Sequence, residues 1–130
     1  MPATDNFDEV FSELKSIFKP YTKKMDVSHD TDDHYMLNTH FIMRNKQPLC
    51  FGGVRKGKNY VSFYLMSVYA VPELLKGMSP ELARRMQGES CFNFKAVDKK
   101  LFTELKVLTK AGAAKFTNKE FVEQLRMMQG

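Results

Sequence analysis

Arg84, Arg85, Gln87 and Lys95 bracket a glycine at Gly88, and Ser90, Cys91 and Asn93 occupy the short segment between them. Two guanidinium groups and an ammonium at this density suit a small anion or a phosphate-bearing ligand. A guanidinium fork grips an oxyanion through two parallel hydrogen bonds, whereas a lysine acts as a point charge. Tyr64 and Tyr69 come from the block just before and would converge on the same patch if Ser90–Phe94 pairs beside the strand that holds Tyr64. The predicted ligand-binding set is therefore Tyr64, Tyr69, Arg84, Arg85, Cys91, Asn93 and Lys95. The competing explanation is structural: Arg and Lys cover a helix surface while Asn93 satisfies loop backbone groups.

Other chemistries are less well supported. A Cys-His nucleophilic pair at Cys91 would need a hydrogen-bonded base and an oxyanion site. A packed core thiol accounts for Cys91 more simply, since free cysteine is among the most buried residue types. His29-Asp30-Thr31-Asp32-Asp33-His34 is the densest run of metal-capable groups, and imidazole with carboxylate could hold a first-row divalent ion. Its spacing follows no recognised site, and loops are rich in Asp for turn reasons. Gly52-Gly53-Val54-Arg55-Lys56-Gly57-Lys58 fits the first seven positions of a phosphate-binding P-loop, but the eighth is Asn59. The residues after it, Tyr60-Val61-Ser62-Phe63, are strand formers, and a P-loop must run into a helix. Arg44, Lys46, Arg55, Lys56 and Lys58 cluster at hairpin tips beside Tyr60, yet no single strand interleaves aromatic and basic residues, so nucleic acid is an unlikely partner.

The elements that must carry these groups follow from periodicity. Phe7, Val10, Phe11, Leu14, Ile17 and Phe18 recur at helical spacing, which predicts a helix over 6–19 with Asn6 as its cap and Pro20 at its end. Residues 25–33 are polar and read as a loop. Alternation over Tyr35–Met43, Leu49–Arg55 and Tyr60–Met66 predicts three strands of an antiparallel meander, with Gly52 and Gly53 marking a bulge or a close approach. Pro72–Lys76 reads as a helical turn. Ser79-Pro80-Glu81 opens a helix expected to run to Gly88, and Ser90–Phe94 reads as a further strand. Asp98 opens a helix closing near Gly112, and Thr117-x-x-Glu120 is a capping box for a last helix.

The whole chain, 1–130, is expected to form one domain, because single cores commonly occupy about 100–150 residues. Eleven Phe and nine Met without Trp point to a core of aromatic and adaptable side chains. Net charge is −3 over residues 1–44 and +8 over 45–130, giving +5 in all, which favours anionic partners or a solvated lysine surface. No apolar run approaches the ~20 residues that span a bilayer. The N-terminal MPATDNFDEVF lacks a secretion signal's apolar core, so a cytoplasmic protein with Cys50 and Cys91 reduced is expected.

The block from Tyr60 to Lys95 resembles the YdhG-like family of small bacterial domains. The likeness is carried by Tyr60-Val61-Ser62-Phe63-Tyr64-Leu65-Met66 with Val68-Tyr69, by Pro72-Glu73-Leu74, by Ser79-Pro80-Glu81-Leu82, and most specifically by Met86-Gln87-Gly88 and Ser90-Cys91-Phe92-Asn93-Phe94-Lys95. The resemblance implies an α+β domain, an antiparallel sheet of about four to five strands with helices packed on it, and no established activity. Members are sometimes labelled frataxin-like iron chaperones; metal handling through the His29–His34 loop, or a minor enzyme role, is the alternative function. No catalytic residue, cofactor or metal ligand is assigned from the sequence, and a homodimer is left open.

Overall fold

Why the N-terminal helix stays a helix is plain from what it buries: Val10, Phe11, Leu14, Ile17 and Phe18 all lose their exposure on one face of α1 (Phe7–Phe18). In the computed structural model, which describes residues 7–88 and 90–128, Pro20 does not simply end this helix. It sits in the first turn of a 3-10 segment, Lys19–Lys24, where its missing N–H costs nothing. The expected cap at Asn6 lies outside the described residues.

Six strands form one antiparallel sheet in the order β1-β2-β3-β4-β6-β5: β1 (Asp26–Asp30), β2 (His34–Ile42), β3 (Pro48–Lys56), β4 (Val61–Leu65), β5 (Met86–Gln87) and β6 (Cys91–Phe94). The meander expected from alternation is present, and the fold is α+β. Two strands are additions. β1 occupies the stretch read as loop; every one of its residues is exposed, so it carries no apolar alternation and is a strand only through its backbone bonds to β2.

β5 corrects the expected helix over 80–88. That helix, α3, is only Pro80–Ala83, and Met86–Gln87 then pairs with Phe92 and Cys91. Gly88, at φ +76°, serves the β5–β6 turn rather than a helix end. Ser79 still caps α3, accepting from the Leu82 N–H at 3.2 Å. Its own N–H and hydroxyl both donate to the Glu104 carboxylate at 2.7 Å, which ties α3 to the long helix α4 (Lys99–Phe116).

Asp98 caps α4 as expected, accepting from the Leu101 N–H at 3.1 Å. The helix does not close at Gly112. It continues to Phe116, because Gly112 is the point where Ser67 of α2 (Met66–Ala70) lies against it and a Cβ would overlap that side chain. The last helix, α5 (Lys119–Met128), is capped by Asn118, whose side chain accepts from the Phe121 N–H at 3.0 Å. Thr117, the expected cap, instead donates to the Ala113 carbonyl at 2.7 Å and finishes α4.

Helices α1 and α4 pack on one face of the sheet. Phe18 stacks on Phe63 at 4.8 Å between ring centroids, and Phe102 meets Phe94 edge-on at 4.9 Å. Offset and edge-on arrangements of this kind add to simple burial. Val54, Phe63, Leu65, Phe92 and Phe94 all point this way and are fully buried. The alternate residues, His34, Met36, Asn38, Ser62, Tyr64, Cys91 and Asn93, form the opposite face and are half-buried. One face of an antiparallel sheet can remain solvated in this manner. Among the described residues no helix is long and apolar enough to cross a membrane.

Candidate functional site

Shortening α3 to four residues turns the chain back at Arg84 and Arg85, and the β5–β6 hairpin then lays Lys95 and Asn93 beside them. The result is an open hollow of about 370 Å³ lined by Tyr60, Arg84, Arg85, Met86, Gln87, Asn93 and Lys95. Three cations line it, and no carboxylate does among the described residues. None of the three forms an ion pair with a described residue. Arg85 is steadied from below, with its guanidinium carbon 5.8 Å from the Phe94 ring centroid and its carbonyl accepting from the Asn93 N–H at 2.8 Å.

A chain of side-chain hydrogen bonds floors the hollow. Ser62 Oγ donates to Asn93 Oδ1 at 2.7 Å, and Asn93 Nδ2 donates to Gln87 Oε1 at 2.6 Å. The Tyr60 hydroxyl reaches the same Gln87 oxygen at 3.4 Å. The bonds from Asn93 and Tyr60 both end on the Gln87 oxygen, so the Gln87 amide hydrogens are left as donors. Held donors beside unpaired cations can receive an anion with little rearrangement, which is how preorganised sites gain affinity.

The sequence-predicted set divides. Arg84, Arg85, Asn93 and Lys95 come together in the hollow; Tyr64, Tyr69 and Cys91 do not line it. Tyr64 pairs with Cys91 across β4 and β6, on the open face of the sheet. Burial pushes the Tyr64 phenol above its usual value, with Cys50, Cys91 and Tyr69 acting in the same direction and a hydrogen bond with Ser90 opposing them. Its hydroxyl donates to Met66 Sδ at 3.7 Å. Tyr69 is exposed on α2. Cys50 is also near Tyr64; burial pushes its thiol up to about 11, so it is protonated and inert at neutral pH.

Tyr60 and Ser62 were missed. Both stand on or next to β4, about 25 residues or more before their partners, and only strand register places them here. The residue types were visible, but their neighbours were not.

The His29–His34 run splits over the end of β1, the turn and the start of β2. The two imidazoles stack at 4.4 Å. Partial burial holds the His34 pKa below its usual value, reinforced by His29 and Arg55 and opposed by Asp33. His40 pairs with Asp26 at 3.3 Å, and Asp30 turns to Lys15 at 2.8 Å. Among the described residues no three His, Cys, Asp or Glu side chains gather closely enough to hold a metal ion. The Gly52–Lys58 run is the β3 hairpin arm and leads into strand β4, not into a helix.

A second hollow of about 390 Å³ lies between α1 and the β1–β2 turn, lined by residues that include Asp8, Ser12, Lys15, Asp32 and Lys56. Its cations are already engaged, Lys15 with Asp30 and Lys56 with Asp8. Comparison with protein-family models, with curated proteins and with solved structures finds no match.

Proposed function

We propose that this chain is a small cytoplasmic binding module that takes an anionic, phosphate-type ligand in the hollow formed by α3, β5, β6 and the start of β4. One observation carries the proposal: Arg84, Arg85 and Lys95 converge without a carboxylate among the described lining residues. Clustered like charges at an exposed surface raise the local positive potential and attract an anion. The amide and hydroxyl groups of Gln87, Asn93 and Tyr60 supply neutral partners that orient such a ligand. Membership of the YdhG-like family is part of the same proposal, supported by an antiparallel sheet with helices packed on it. The fold alone assigns no reaction.

Thermal shift at constant ionic strength with phosphate, pyrophosphate and nucleoside phosphates tests the proposal. A ligand at about 100 times its Kd stabilises the native state by about 2.7 kcal/mol, enough to raise Tm by several degrees. The rise should vanish in the Arg84→Ala/Lys95→Ala variant. If no anion raises Tm in the unmodified protein, or if the double variant responds equally, the hollow is not an anion site.

A further inference from the structure

The hollow is not closed on the side of the sheet. Register carries its polar floor onward: Asn93 pairs with Ser62, Ser62 with Arg55, and Arg55 with His34. Gln87 is joined to this line through Asn93. A transverse row, Asn93-Ser62-Arg55, therefore crosses β6, β4 and β3 on the open face, and Arg85, whose carbonyl accepts from the Asn93 N–H, continues it just before β5, while Gln87 stands opposite Cys91. With strands ~4.8 Å apart, the row extends ~14 Å from Arg85 to Arg55. Arg84 and Arg85 lie at its β5 end, Lys95 follows Asn93, and the exposed Lys58 stands in the β3–β4 turn next to Tyr60. Beyond Arg55 the charge reverses, with Asp32 and Asp33 in the β1–β2 turn, so the basic track ends there.

A compact anion cannot touch both Arg84 and Arg55. An occupant that does must be extended and must repeat its negative charge. It must also offer a flat face to Tyr60 and polar groups to the amide row. We propose that single-stranded RNA lies across β5, β6, β4 and β3, its phosphates on Arg84, Arg85, Lys95, Lys58 and Arg55 and a base against Tyr60. This rests on the anion site proposed above and extends it. Unpaired strands suit a sheet surface because their bases are free to stack on aromatic side chains. The ribose 2′-hydroxyl, both donor and acceptor, can accept from the Gln87 amide hydrogens or donate to a lone pair of Ser62 Oγ.

The full chain should be titrated by fluorescence anisotropy with a labelled oligo(U) RNA of about eight nucleotides, within the site sizes of single-strand binders. Five phosphate contacts at about 0.7 counterions each give a log–log salt slope of about −3.5, or roughly a 100-fold loss of affinity between 50 and 200 mM salt. The Arg55→Ala/Lys58→Ala variant should weaken RNA binding about 10-fold and flatten the slope by about 1.4. It should leave pyrophosphate binding in the hollow unchanged. DNA of matching length and base order should bind at least about 3-fold more weakly. RNA held no more tightly than pyrophosphate, or indifferent to Arg55→Ala/Lys58→Ala, would overturn the extended track while leaving the hollow intact. Failure of pyrophosphate and RNA alike would remove both proposals. Equal binding of DNA would overturn the RNA assignment, and self-association of the free protein at low salt would show that a second copy occupies the face.

Discussion

Two hollows of similar volume flank the same sheet, and they differ in what their charges already do. In the one beside α1, Lys15 donates to Asp30 at 2.8 Å and sits 5.0 Å from the Tyr35 ring, while Lys56 holds Asp8. In the one beside α3, Arg84, Arg85 and Lys95 face the cavity with no anionic partner among the described residues. Concavity and lysine content are alike in kind. What separates them is residual capacity: the first has closed its electrostatic bonds within the fold, and the cations of the second have no such partner among the described residues. Solvent screens exposed ion pairs of this kind, so the first hollow is a modest fastening of α1 to the sheet.

The comparison is broken most strongly at the cations of the α3 hollow. Arg84→Ala/Lys95→Ala should lower affinity for the proposed anionic ligand about 100-fold or more, since charge-assisted hydrogen bonds are worth about 1.5–3 kcal/mol each. Lys15→Ala, in the other hollow, should leave that affinity unchanged in the same calorimetric titration. Next in size is Glu104→Ala, which removes both bonds to Ser79 and frees α3 from α4. It should cost about 1–3 kcal/mol in chemical denaturation and weaken ligand binding as well. Lys56→Ala should change stability little, since its ion pair with Asp8 is solvent-screened, and do nothing to binding.

The smallest effects are those of acid. The His34 pKa is lowered by folding, so the unfolded chain binds the proton more readily and stability falls as pH drops below the ordinary histidine value of about 6.5. His34→Asn should flatten that part of the profile. Asp30 is also lowered, mainly through its hydrogen bond from Lys15, so its contribution is present above the ordinary carboxylate value of about 3.9 and is lost as pH falls further. Lys15→Ala should remove that second, more acidic dependence. A profile unaltered by either substitution would mean the acid sensitivity arises elsewhere.

Apolar periodicity made α1, the meander and the caps Asp98 and Ser79 legible, because each depends on residues close in sequence. β1 was hidden by its uniform exposure, which leaves no alternation to detect. The early end of α3 was hidden for a related reason: Met86 and Gln87 are strand residues only because β6 lies beside them. The site shows the same boundary. Arg84, Arg85, Asn93 and Lys95 were found by density of type within a dozen positions. Tyr60 and Ser62 are brought in by pairing between β4 and β6, and Tyr64 is carried away by the same pairing, two residue pairs along. A period of two tells which residues share a face, not which neighbour each will meet.

β5 is only two residues long and β1 bears Asp26 and Asp30 among wholly exposed neighbours. These are the two margins at which a foreign strand could add its own backbone bonds. One offers too brief a template and the other a charged one, both of which discourage edge-to-edge polymerisation. A sheet guarded at its rims in this way can leave a broad flat surface uncovered without inviting its copies to stack into fibres.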